Sequence, residues 1–140
     1  MGNTMATWVI DGQLARAQRP GYSGERGRPV ARAEVDDWIA GLKATGIKSI
    51  ICLLADDQLH LYGDLPVDLV SYYRKTGLEA EHVPARDHQS PPLTEEHLGK
   101  IWKAYQSLPK PVLVHCSAGV DRTGRAVDYI QKKLNASIQA

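Results

Sequence analysis

The sequence predicts an α/β fold, a central and mostly parallel β-sheet of about four or five strands flanked by helices on both faces. Three stretches carry that expectation. Val35, Trp38, Ile39 and Leu42 recur at helical spacing and stop at Gly46, and an apolar, β-branched run follows from Lys48 to Leu54. Helix, glycine, then buried strand is half of a βαβ unit. Leu69, Tyr72, Tyr73 and Thr76 mark a second helix stopped by Gly77, and residues 79–83 read as the next strand. A last apolar run, Val112-Leu113-Val114, ends at His115-Cys116 and restarts as a helical pattern through Ala126, Val127, Ile130 and Leu134.

The other elements fit around these. Residues 1–7 read as a loose tail and residues 8–140 as one domain. Trp8-Val9-Ile10 and Leu14-Ala15-Arg16 are short strands about an Asp11-Gly12 turn. Residues 20–29 are rich in Gly and Pro, made basic by Arg19, Arg26 and Arg28, and read as a solvated surface loop, a substrate-contacting rim being the other reading. Asp56 and Asp57 read as turn residues, and Asp64-Leu65-Pro66 as the opening of the second helix, whose tyrosines belong to the core. Thr94 caps a third helix, with Glu95 and Glu96 in its first turn, His97 facing solvent, and Leu98, Ile101, Trp102, Tyr105 and Leu108 inside. Pro109 and Pro111 bracket the turn into the last strand.

Bulk properties exclude several classes. The 140 residues suffice for one core, and a net charge of +1 gives no field that would draw nucleic acid or an anionic membrane. The two cysteines give no disulfide framework and suit a reducing, cytoplasmic setting. No apolar run reaches membrane-spanning length. The histidines lack metal-ligand spacing, so neither metal nor cofactor is expected.

The chemistry lies in residues 112–124. A strand that ends in a tight loop and restarts as a helix turns the loop amides inward, and with the helix N-terminus makes an anion site. Ser117, Ala118, Gly119, Val120, Asp121 and Arg122 are the candidate phosphate-binding residues. Cys116 at the rim would sit in positive potential, which favours a thiolate nucleophile. Five residues on, Arg122 supplies a planar fork for two phosphate oxygens. A thiolate in a phosphate cradle implies attack at phosphorus through a phosphocysteine. A Walker loop is excluded, because no lysine stands at the end of this run.

His115, Cys116, Gly119, Arg122, Thr123 and Gly124 match the signature His-Cys, five residues, Arg, Ser/Thr, and the chain resembles the cysteine-dependent protein tyrosine phosphatases in that respect. Residues 9–16 and Arg19-Pro20 resemble the opening of the small dual-specificity members. The resemblance implies that fold in a minimal form or a shortened piece of it, since relatives continue through further helices. It implies that His115 orients the loop, that Thr123 donates to the cysteine sulfur, and that Asp87, in a Pro-rich loop upstream of Cys116, is the general acid. An alkoxide or phenolate leaves poorly unless protonated, so such a group is needed. His88 is the competing acid, and Gln89 could position a water or be an ordinary exposed amide. Asp121 departs from many relatives, which carry a small neutral residue there. It is expected to point outward and hold a basic neighbour, and it hints at non-tyrosine substrates. Cys52 is expected as a buried strand residue, a disulfide with Cys116 being the other reading.

The implied function is a protein phosphatase acting on phosphotyrosine. The long insertions that build a deep pocket are absent, which extends the reading to phosphoserine and phosphothreonine. Its partners would be a phosphoprotein or phosphopeptide and a phosphate-like anion, with neither nucleic acid nor membrane. Two alternatives stand beside it. One is a phosphatase of small molecules, phosphoinositides or RNA 5′ ends; lipid-directed relatives often carry loop lysines, and their lack here argues against a highly charged substrate. The other is a non-enzymatic phosphate-binding module.

Overall fold

The computed structural model describes residues 6–25 and 27–139. Strands β1 (Thr7–Ile10) and β2 (Leu14–Ala17) form an antiparallel hairpin. Helix α1 (Arg32–Thr45) ends at Gly46, whose φ of +93° lets its amide cap the Leu42 and Lys43 carbonyls. Then come β3 (Ser49–Cys52), a 3₁₀ helix (Asp56–Tyr62), α2 (Leu69–Lys75), β4 (Glu79–His82), α3 (Glu95–Ser107), β5 (Val112–His115) and α4 (Asp121–Gln139). The expected tail falls mostly outside the described residues, and Thr7 already belongs to β1. Arg26 also lies outside them.

The strands order as β1-β2-β5-β3-β4, and every pair except β1–β2 is parallel. The sheet is therefore mostly parallel with one antiparallel edge, as the alternation of helices and strands implies. Central β5 has Leu113 paired with Ala15 on one side and Ile50 on the other. All four of its residues are buried, as a strand covered on both faces requires. Burying each of Val112, Leu113 and Val114 stabilises the fold by about 1.5–3 kcal/mol before chain entropy is counted. The loop that follows β5 thus leaves the most constrained part of the sheet, at the strand ends where such folds bind ligands.

Alternation along the strands splits the core in two. Ile50, Cys52, Leu54 and Leu113 pack with Trp38 and Leu42 of α1 and Leu69 and Tyr73 of α2. Ile51, Leu53, Val112 and Val114 pack with Leu98, Ile101 and Tyr105 of α3 and Ala126, Val127 and Ile130 of α4. The two layers place the residue before the loop, His115, and the residue that begins it, Cys116, on opposite faces.

Several local expectations are corrected. The second helix does not open at Asp64. Asp68 caps it, accepting from the Ser71 amide at 3.0 Å and the Ser71 hydroxyl at 2.8 Å, while Asp64 accepts the Arg32 amide at the start of α1. Asp56 and Asp57 open a 3₁₀ helix rather than a simple turn. His97 is half-buried rather than solvent-facing: its Nδ1 accepts the Thr94 amide while Thr94 Oγ1 accepts the His97 amide, a reciprocal cap. Leu134 is half-buried on α4. Among the described residues no helix is long and apolar enough to cross a membrane.

Candidate active site

His115 closes β5 with its ring among apolar neighbours, edge-on to Trp38 and Tyr73. Its Nδ1 lies 3.0 Å from the Cys116 carbonyl and its Nε2 lies 2.8 Å from the Tyr73 hydroxyl. A carbonyl only accepts, so Nδ1 carries the proton and Nε2 receives the Tyr73 O–H. Burial, with the charges of Arg122 and Arg19 adding to it, lowers the His115 pKa to about 4, so the ring is neutral. Burial also raises the Tyr73 hydroxyl well above the usual phenol range, which keeps it a donor.

The loop carbonyls are held outward one after another. His115 Nδ1 takes the Cys116 carbonyl, the Arg19 amide takes that of Ser117 at 2.9 Å, and Arg16 Nη2 takes those of Gly119 at 2.9 Å and Val120 at 3.3 Å. In a trans peptide the next N–H points opposite to the carbonyl. Outward carbonyls at these positions therefore aim the amides of Ser117, Ala118, Val120 and Asp121 inward. Among the described residues no acceptor meets the amides of residues 117–120. Gly119 is required twice over. Its φ is +77°, and a Cβ there would stand 2.6 Å from the Ala17 carbonyl oxygen.

Arg122, in the first turn of α4, is 2% exposed. Its Nη1 donates to the carbonyls of Ala85 at 2.8 Å and Leu53 at 3.3 Å and to Gln58 Oε1 at 3.0 Å. Gln58 Oε1 also accepts the Ala55 amide, which fixes it. With one nitrogen so held, the other is set for an oxyanion. Nη2 makes no hydrogen bond among the described residues and lies 3.3 Å from Asp87 Oδ1 as an ion pair.

Asp87, His88, Cys116, Ala118, Val120, Asp121 and Arg122 line one cavity of about 50 Å³. That is room for a phosphoryl group and little more, so the remainder of any ester lies outside. The Asp87 side chain is 24% exposed, and its Oδ1 accepts the His88 amide at 3.0 Å. His88 has a φ of 59°, and its Nε2 lies 3.7 Å from Asp87 Oδ2. Asp121 is exposed at the rim as expected, but among the described residues it pairs with no basic group. Val120 is 60% exposed beside it.

The sequence-predicted residues thus converge, with exceptions. Thr123 Oγ1 is buried and makes no hydrogen bond among the described residues, so the bond expected to the sulfur is not formed. Gln89 is half-buried and donates to the Pro92 carbonyl, rather than standing as an exposed amide. Cys52 is fully buried in the α1–α2 layer, which pushes its thiol up to about 12, whereas Cys116 packs in the α3–α4 layer. Arg19 is not a solvated loop cation but is buried behind the loop, whereas Arg28 stays one third exposed and pairs with Glu34 at 2.9 Å. Arg16, Arg19, Gln58 and Tyr73 support the site without having been singled out for it. An arginine inside the short second strand was the one visible signal, since strands on a buried sheet seldom carry one without a partner.

A buried thiol, inward amides and a half-satisfied guanidinium at the strand ends of this sheet define the cysteine-based phosphatases as a class. Comparison with known families narrows this. The family model for the Tc-R-P domain, the DSP-PTPase phosphatase of polymorphic toxin systems, matches residues 25–132, and the chain belongs to that family. No curated protein sequence matches significantly. Among solved structures the fold is similar to a DUF442 protein from Shewanella putrefaciens, with 18% identity, a TM-score of 0.67, and 94% of this chain and 70% of that one covered. It is also similar to the active form of Tk-PTP, with 23% identity, a TM-score of 0.59, and 92% and 74% covered. The third is the catalytic core of the PP-IP phosphatase Siw14 from S. cerevisiae, with 20% identity, a TM-score of 0.58, and 93% and 66% covered. These likenesses establish the fold alone.

Proposed function

We propose that this phosphatase hydrolyses phosphotyrosine in proteins, and phosphoserine and phosphothreonine as well, through a phosphocysteine. The observation that carries the reading is Cys116 sharing one small cavity with Arg122 and Asp87. In the first step the Cys116 thiolate attacks phosphorus, the bond to the leaving oxygen breaks, and Asp87 passes its proton to that oxygen. Water then attacks the phosphocysteine and gives a proton to Asp87. The phosphorus–sulfur bond breaks, restoring the thiolate and releasing inorganic phosphate. Arg122 and the loop amides stabilise the charge on the equatorial oxygens in both steps. Binding displaces Asp87 from Arg122 Nη2, which frees the protonated carboxyl group to reach the leaving oxygen. The chemistry requires a reduced Cys116, in keeping with a cytoplasmic setting.

The small cavity, which encloses the phosphoryl group and leaves the rest of the ester outside, supports acceptance of several phospho-residues. A phosphoinositide or other multiply phosphorylated substrate is the second reading, in line with the hint from Asp121, and the absence of a lysine from residues 117–121 speaks against it. The test is turnover of a phosphotyrosine peptide, a phosphoserine peptide and a phosphoinositide alongside p-nitrophenyl phosphate, with Cys116→Ser as control. Preference for the phosphoinositide would replace the protein-substrate reading. Inert but folded and reduced wild-type protein would leave a phosphate-binding module.

A further inference from the structure

Arg19 is among the largest fully buried side chains in the molecule, 2% exposed, and the chemistry above does not use its charge. Its Nε donates to Ser117 Oγ at 3.2 Å and its Nη1 to the Tyr62 hydroxyl at 3.1 Å. The guanidinium carbon lies 5.6 Å from the Tyr22 ring centre and 6.0 Å from that of Tyr62. Among the described residues no carboxylate forms an ion pair with it. Tyr62 does not supply the missing charge either. It donates its own proton to the Pro20 carbonyl, and burial pushes its hydroxyl up to about 12. A cation withdrawn from water without an anion is unfavourable, and neutral acceptors offset only part of the loss.

We propose that Arg19 is a second guanidinium dedicated to the anion in the loop, a positioning residue whose counter-charge is the bound phosphoryl group. It rests on the phosphatase reading and adds a charge that the loop signature does not contain. Arg19 holds Ser117 by backbone and side chain together, and so sets the first inward amides of the cradle while its charge stands behind them. Arg16 also grips the loop, but it is only half-buried, so water screens its charge. Arg19 is sealed from water, so its field acts on the cradle with little screening. The same field opposes protonation of His115.

The experiment measures orthophosphate binding by calorimetry for wild type, Arg19→Met and Arg19→Lys, with vanadate inhibition of p-nitrophenyl phosphate hydrolysis in parallel. Arg19→Met should weaken both by about tenfold or more, and Arg19→Lys, assayed at pH 6 to hold the buried ammonium protonated although it loses the fork, should recover most of that loss. Unchanged anion affinity in a folded Arg19→Met overturns the proposal. So does an Arg19→Lys variant as weak as Arg19→Met, because geometry rather than charge would then be at work. If Arg19→Met does not fold, Arg19→Lys decides: affinity near wild type supports the charge role, and a tenfold loss refutes it. Calorimetry keeps the two failures apart, since wild type that binds orthophosphate without turnover sinks the enzymatic reading while the charge assignment is still tested.

Discussion

Tyr73 and His115 meet beneath the sheet with the phenol donating to Nε2 at 2.8 Å, and this bond, with the Cys116 carbonyl at Nδ1, holds the imidazole in one tautomer. Tyr73→Phe leaves a buried acceptor unpaired. The expected result is a loss of about 1–3 kcal/mol in stability, read as a lower denaturant midpoint. Loop orientation weakens with it, so KM for p-nitrophenyl phosphate should rise as well. A variant with wild-type stability would show that the bond does not hold the tautomer.

The buried imidazole also sets an acid limit. His115 binds its proton in the folded state only near pH 4, against 6.5 in an unfolded chain. A lowered folded value means that the contribution to stability is complete above pH 6.5 and is lost as pH falls toward 4. The loss is on the order of 3 kcal/mol across that window. Urea midpoints measured between pH 7 and 4 should fall accordingly, and the slope should flatten in His115→Asn.

Gln58 holds Arg122 Nη1 with a neutral oxygen. Gln58→Ala removes one of three acceptors and should raise KM by about threefold to tenfold, with kcat changed less. Gln58→Glu keeps an acceptor but places an anion beside the guanidinium, so phosphate binding should weaken further. Equal effects of the two variants would show that charge at this position is irrelevant.

The Asp87–Arg122 pair gives the loop carboxylate two jobs that one variant separates. Asp87→Ala should slow esters with poor leaving groups by about a hundredfold or more and activated aryl esters much less. It should also tighten orthophosphate binding, since the carboxylate no longer competes for Nη2. Uniform slowing across leaving groups would remove Asp87 as the acid and direct attention to His88.

What was legible in the sequence follows from local rules. Gly46 and Thr94 announce helix ends because their roles depend on backbone angles and a few neighbouring atoms. The loop from His115 to Arg122 is legible because its chemistry is contiguous. Arg19, Gln58 and Tyr73 were not, because each acts on a partner distant in the chain that only the folded sheet brings near. The opening of α2 was misplaced for a smaller reason. Asp64 and Asp68 both suit a cap, and Ser71 three residues on decides for Asp68.

The partition of the two thiols between core layers bears on oxidative damage. A sulfenic acid formed at Cys116 would stand at the cavity on the α3–α4 side, while the other cysteine, Cys52, is sealed in the α1–α2 layer and held as a thiol by burial. Rescue by an internal resolving partner is then closed off. Recovery from peroxide would fall to glutathione or another diffusible reductant, and a brief, strong oxidant pulse would silence the protein for good.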